Sequence, residues 1–164
     1  MKKDYNSTAV DNLDKGIKKV LDLCQNIEAK GMLDLSDDGA WNAKQIMGHL
    51  IDSATNNIQR FVRLQSGNLD DFPGYDQDEW VRLQKYAEQN FDDLTVLWLA
   101  LNHQIIHVIK NIEESSLGNT WRIEDEDIPL NYLIDDYIDH LNAHAEQLGR
   151  MINGIAYSRK QGDH

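Results

Sequence analysis

The sequence predicts an all-α protein, a four-helix bundle with long crossover connections and a short extra helix between the second and third core helices. Three observations lead there. Apolar residues recur at alternating steps of three and four in four long segments, the spacing that lines one face of a helix. Only two prolines, Pro73 and Pro129, interrupt 164 residues. No Asn-Gly or Asp-Gly pair sits between two alternating apolar runs, so nothing announces a β-hairpin.

Taken in order, Val10, Leu13, Ile17, Val20, Cys24 and Ile27 predict a first helix over about residues 8–30, ended by Gly31. Ser36-Asp37-Asp38-Gly39 is a loop. A second helix opens after Asn42, whose side chain can cap it while Gln45 completes a capping box, and it runs to about residue 64 or 65. Residues 66–75 hold two glycines, a proline and two aspartates and read as a loop, with a short helix over about 77–86 leading out of it. The third core helix carries Leu94, Leu97, Leu101, Ile105, Val108 and Ile112, thickened by Trp98. Residues 115–127 form a second long connection with a solvated acidic run, Glu124 to Asp127. Pro129 fits the first turn of the last helix, which continues through Leu133, Tyr137, Leu141, Leu148 and Met151 to about residue 155.

Four amphipathic helices bury their stripes best as one bundle, so residues 1–164 are a single domain with its core over about 8–155 and a frayed tail from Tyr157. The long linkers after the second and third core helices leave room for the chain to cross the bundle.

Sixteen Lys and Arg against 28 Asp and Glu give a net charge of −12, which argues against nucleic acid or an anionic membrane as partner. The longest apolar run, Val96 to Leu101, is far short of the roughly 20 residues that span a bilayer. One cysteine, Cys24, excludes a disulfide framework and multi-cysteine metal sites, and with no apolar leader behind Asp4-Tyr5-Asn6-Ser7 the expected location is the cytoplasm.

Five of the six histidines fall in predicted helices, and the helical wheel sorts them. His103 and His107 lie opposite the apolar stripe of their helix, in solvent. His140 and His144, one turn apart, face inward or nearly so and can hold a metal ion between them. His49 lies between Ile46 and Leu50 and heads a stripe with Ser53, Asn56 and Arg60; it is a candidate third ligand, although taken alone it reads first as a core or boundary histidine with a hydrogen-bond partner. Gly48 before it costs the helix about 1 kcal/mol relative to Ala, which a close backbone approach would explain.

Other chemistries fail on spacing. The residues three before the histidines are Ile46, Ala100, Gln104, Tyr137, Leu141 and Gln161, so no Glu-x-x-His di-iron motif exists. His-Glu-x-x-His, a phosphate-binding Gly-x-x-x-x-Gly-Lys loop and a Gly-x-Ser-x-Gly nucleophile turn are absent as well.

The run from Trp41 to Ser53 (Trp-Asn-Ala-Lys-Gln-Ile-Met-Gly-His-Leu-Ile-Asp-Ser), with Asn56-Asn57 and Arg60-Phe61 after it, resembles the second helix of the DinB-like (YfiT-like) superfamily. The run from Leu133 to His144 resembles its last core helix. Phe72-Pro73-Gly74-Tyr75-Asp76 with Trp80, and Leu97-Trp98 with Asn102, fit between them, so the likeness covers about residues 8–155. It implies a bundle with crossed connections, often dimeric, holding a divalent metal, zinc, nickel or iron, on three histidines, here His49, His140 and His144. The departures are Asn42, where Ser or Thr is commoner, and Ala143, where many members carry another histidine.

The same resemblance implies either thiol transfer with bacillithiol or a similar thiol, or hydrolysis by a metal-activated water. Thiol transfer to a small electrophile is the first reading, because no acidic residue stands at a motif position as an obvious base for water. Ser53, Asn56 and Arg60 are the candidate substrate-binding residues, with Asn56 and Arg60 placed to orient an anionic or amide group. Their structural readings are a small packing residue, a helix-surface amide and a surface ion pair. From a different class, a non-catalytic metal-binding module for stress response or interaction also fits. A homodimer is expected from the resemblance, with loose support from surplus aromatics around Trp80, Tyr86 and Trp121, each of which reads alternatively as a cap on the bundle core.

Overall fold

The computed structural model describes residues 4–161, with side chains as far as Gly154. Helix α1 spans Tyr5–Ala29, α2 Ala43–Arg63, α3 Gln77–Gln84, α4 Phe91–Lys110 and α5 Leu130–Gln161. A two-stranded antiparallel hairpin, β1 Thr120–Ile123 and β2 Glu126–Pro129, precedes α5.

Local chemistry sets the helix ends. Asp4 caps α1 by accepting from the Ser7 N–H at 2.7 Å. At the other end Gly31, at φ 65°, closes a Schellman motif in which the Met32 N–H donates to the Ile27 carbonyl and the Gly31 N–H to that of Glu28. The capping box at the start of α2 is present, with the Asn42 side chain accepting from the Gln45 N–H and the Gln45 side chain accepting from the Asn42 N–H, both at 3.0 Å.

Helix α1 packs against α4 and α5, and α2 packs against the same two. The helices that follow one another, α1 then α2 and α4 then α5, therefore stand on the diagonals of the bundle. The expected crossing after the third core helix is there, made by the hairpin connection. The other crossing is made by residues 30–42, whereas the long linker after α2 joins neighbours. Leu13, Val20, Ile27, Ile46, Leu94, Ile105 and Leu148 are among the fully or almost fully buried side chains, each adding roughly 1.5–3 kcal/mol of transfer free energy.

Four expectations need correcting. The buried stripe of α4 is Phe91, Leu94, Trp98, Asn102, Ile105 and Ile109, while Leu97 is 48% exposed. Trp98 turns fully inward, and Asn102 can follow it because Tyr137 Oη donates to Asn102 Oδ1 at 2.7 Å and Asn102 Nδ2 donates to the Trp98 carbonyl at 2.9 Å. Residues 120–129 form a hairpin rather than a plain loop, although Glu124 to Asp127 are exposed as expected. Its two-residue turn holds Glu124 at φ 52°, a conformation ordinarily advertised by Gly or Asn. Pro129 closes β2, and α5 starts one residue after it. The backbone of α5 continues to Gln161 rather than ending near residue 155; of the frayed tail expected at 157–164, the side chains and all of residues 162–164 lie outside the described residues.

The hairpin is tied back to the loop after α2. The Leu69 N–H donates to the Thr120 carbonyl at 2.9 Å, the Arg122 N–H to the Leu69 carbonyl at 2.8 Å, and Trp121 Nε1 to the Phe72 carbonyl at 2.8 Å. Trp121 is thereby held against the end of α2. Among the described residues no helix is long and apolar enough to cross a membrane.

Candidate metal centre

Helices α2 and α5 touch along the faces that carry His49, His140 and His144. His49 Nε2 lies 2.9 Å from His140 Nε2, and His144 Nε2 lies 3.2 Å from the same atom. The three rings meet edge on, with centroids 4.5–4.9 Å apart and planes inclined by 67–73°. Residues 91 and 95 positions apart in the chain thus bring three nitrogens to one point.

The protons available cannot satisfy that arrangement. His144 Nδ1 donates to Gln147 Oε1 at 2.7 Å, which leaves His144 Nε2 as a bare lone pair. A proton on His140 Nε2 can serve only one of its two neighbours well. Burial, first of all, also pushes the imidazoles toward the neutral form: His49 falls to about 3, helped by the nearby His144 and His140, and His140 to about 4, helped by His144. His144 is lowered by burial, partly offset by Gln147. Neutral rings with converging lone pairs are the state a metal ion takes.

Distance agrees with chemistry. Two ligands about 2.0–2.1 Å from a common ion stand roughly 2.9 Å apart at a right angle and about 3.4 Å apart at the tetrahedral angle. Both measured separations lie in that window. The three histidines therefore fit a divalent ion, and they are the one group of three or more potential ligands that converges among the described residues. His49 is 1% exposed, whereas His140 and His144 are half-buried, so the centre is reached from the α5 side.

Packing behind His49 fixes its helix. A Cβ on Gly48 would sit 2.0 Å from Tyr86 Cδ2, so only glycine lets the Tyr86 ring lie against α2. That is the close approach the sequence called for. Tyr86 Oη then donates to Asp52 Oδ1 at 2.7 Å, and Gln84 Nε2 donates to the same oxygen at 2.7 Å. Asp52, 1% exposed and with its pKa raised by burial, thus has its Oδ1 engaged by Gln84 and Tyr86, while its Oδ2 is buried without a hydrogen-bond partner among the described residues. Lys85, at φ 52°, makes the sharp turn that delivers Tyr86. Trp41 closes the other side, its ring 5.0 Å from that of His49.

Beyond the triad runs a polar wall. Ser53, 3% exposed, has its Oγ 3.5 Å from His140 Nδ1 and lies near enough to the Tyr75 hydroxyl to lower its pKa against the raising effect of burial. Arg60, 7% exposed, lies with its guanidinium carbon 4.0 Å over the Trp121 ring and donates from Nη1 to Asn57 Oδ1 at 3.3 Å. Asn56 turns its amide to the Asp52 carbonyl of its own helix. The sequence reading placed Ser53 and Arg60 beside the triad, but missed Asn57, Gln147, Tyr75 and Trp121. Asn57 and Gln147 each stand three or four residues from a residue already singled out, so helical spacing could have found them. Tyr75 and Trp121 come from a loop and a hairpin and leave no periodic signal. His103 and His107 are exposed, as expected.

A solved structure, YfiT from Bacillus subtilis, superposes with a TM-score of 0.83 over 95% of this chain and 90% of the other, at 18% sequence identity. The chain has the YfiT fold. The resemblance read from the sequence thus holds for the architecture, including the crossed connections. YfiT is described as a probable metal-dependent hydrolase with an unusual four-helix bundle topology. No protein-family model matches the sequence, and no curated protein matches it.

Proposed function

We propose that the protein is a divalent-metal-dependent enzyme whose ion is held by His49, His140 and His144, and that it transfers a low-molecular-weight thiol, bacillithiol or a similar one, to an electrophilic small molecule. The observation that carries this reading is the meeting of three Nε2 atoms within 2.9 and 3.2 Å with their rings neutral. Three imidazoles leave coordination positions free, the mark of a reactive site. A divalent ion bound there supplies Lewis acidity, making a thiol or a water available as a nucleophile near pH 7.

The chain's own part is to hold that arrangement ready. Gln147 fixes the His144 tautomer, Tyr86 and Gly48 set the position of α2, and the Trp41 ring shields His49. Thiol is preferred over water because the buried carboxylate nearest in sequence to His49, Asp52, has its Oδ1 tied to Tyr86 and Gln84 and its Oδ2 buried and hydrogen-bonded to none of the three histidines. Hydrolysis is the second reading, favoured by the description of YfiT. The remaining parts of the proposal are a homodimer acting in the cytoplasm on a small molecule, without nucleic acid; the net charge of −12 supports the last point.

The deciding experiment loads the untagged protein with zinc, nickel or iron and offers a thiol with an electrophile beside a panel of esters and amides. Metal-dependent consumption of the thiol supports transfer. Turnover of the ester or amide panel alone replaces it with hydrolysis, and absence of stoichiometric metal overturns both.

A further inference from the structure

The wall beside the triad contains a cation with no counter-ion among the described residues. Arg60 is 7% exposed and, among the described residues, has no carboxylate within ion-pair distance and makes a single hydrogen bond, from Nη1 to Asn57. Its Nε is enclosed and has no acceptor among the described residues. Taking a guanidinium out of water without an anion is costly, and buried charges in proteins are ordinarily paired. Asp136, on α5 one turn before His140, is felt only at longer range.

Placement gives this cation a direction. Arg60 lies on the His49 stripe of α2, and its side chain folds back toward the triad to reach Asn57, one turn earlier. Tyr75 is within electrostatic reach of both Ser53 and Arg60, while Ser53 in turn lies beside His140. The guanidinium carbon lies 4.0 Å over the Trp121 ring, a cation–π contact that, with the Asn57 bond, restrains the fork of donors before anything binds. A planar, preset donor fork matches an oxyanion, which can accept two parallel N–H bonds.

We propose that Arg60 is the receptor for an anionic oxygen group, a carboxylate or a phosphate, carried by the molecule that reacts at the triad. The inference rests on the metal-enzyme reading, and it narrows the substrate or thiol to one bearing such a group beyond its reacting atom. It also narrows the anionic-or-amide alternative to the anion and rests it on Arg60, held by Asn57, while the Asn56 amide is turned to the Asp52 carbonyl. In a chain of net charge −12, a dedicated cation is what an anionic ligand needs in order to enter.

The test titrates succinate, inorganic phosphate and neutral succinamide into the full-length protein by calorimetry, comparing wild type, Arg60→Gln, Arg60→Lys and His144→Ala. Wild type is expected to bind at least one of the two anions saturably and succinamide at least tenfold more weakly. Whichever anion binds tighter assigns the group as carboxylate or phosphate. Arg60→Gln should weaken the anion at least tenfold, and Arg60→Lys, which keeps the charge and loses the fork, by several fold; if the Gln variant does not fold, the Lys variant decides. Retained anion binding in metal-free His144→Ala supports the guanidinium as receptor, even if metal analysis sinks the enzyme reading. Loss of anion binding in His144→Ala, with Arg60→Gln unaffected, puts the anion on the metal and overturns the proposal, as does a wild type that ignores both anions.

Discussion

The chain carries two His-x-x-x-His pairs of identical spacing, His103 with His107 on α4 and His140 with His144 on α5, and the bundle treats them in opposite ways. The α4 pair is exposed, on the side of the helix away from Trp98 and Asn102. The α5 pair turns toward α2, meets His49, and is stripped of enough water to hold His140 down to about 4. Spacing alone thus creates a ligand pair in principle. A third ring, desolvation and a fixed tautomer are what turn one of the two into a site.

The sharpest way to break this contrast is to remove one ring from each pair. His144→Ala takes away a nitrogen 3.2 Å from His140 Nε2 and should lower affinity for zinc or nickel by about 100-fold or more, measured by chelator competition; His107→Ala should leave it unchanged. Equal losses would mean that the α4 pair binds the metal, and the comparison fails.

A smaller effect comes from the packing that sets α2 against α5. Gly48→Ala drives a methyl into the Tyr86 ring, for which the ideal position is 2.0 Å away. Overpacking of this kind costs up to about 3 kcal/mol, and the gain of about 1 kcal/mol in helix propensity leaves a net loss of roughly 2 kcal/mol in denaturant unfolding. Gly149 on α5 is the control, because a Cβ there meets Leu23 Cδ2 at an ordinary 3.9 Å. Gly149→Ala should stabilise by somewhat under 1 kcal/mol.

The two regions also differed in how far they could be read in advance. The α5 pair and His49 were legible because each sits at a definite angle to a long apolar stripe, and the capping box at Asn42 fixes where α2 begins. The α4 stripe was read one position off, since Asn102 counts as polar on a wheel and its burial depends on the distant Tyr137 hydroxyl. The hairpin was invisible for a related reason. Its turn uses Glu124 and Asp125, and its register is held by Leu69, about 50 residues earlier. Local periodicity reports a residue's own helix; it says nothing of partners that only the assembled bundle supplies.

Acid sharpens the contrast next. In the metal-free protein His49 and His140 sit at about 3 and about 4 because burial disfavours their charged forms, against roughly 6.5 in an unfolded chain. Between those values the unfolded state binds more protons, so stability is fully present above about pH 6.5 and is lost as pH falls toward 3–4. Each histidine adds a slope approaching about 1.4 kcal/mol per pH unit. His140→Gln should flatten this limb in urea unfolding measured from pH 7 to 4, while His107→Gln should retain it. An unchanged limb in His140→Gln would show that the α5 pair does not titrate as buried rings.

The finest difference between the pairs is the partner of the non-ligating nitrogen. On α5, His144 Nδ1 donates to Gln147 Oε1 at 2.7 Å, which commits Nε2 to the centre. Such outer partners are worth about 10–100-fold in metal affinity. Because Gln147 is itself half-buried and acts through one hydrogen bond, the lower figure applies: Gln147→Leu should weaken zinc binding about tenfold without altering the fold. Gln147→Glu should restore it, since a carboxylate accepts the same proton more strongly and raises the basicity of the ring. A structural role would show the reverse order, with the apolar Leu tolerated and the buried charge of Glu destabilising. Chelator competition and melting temperature, measured on both variants, separate the two: affinity that follows Glu over Leu while stability does not identifies Gln147 as a positioning residue for His144.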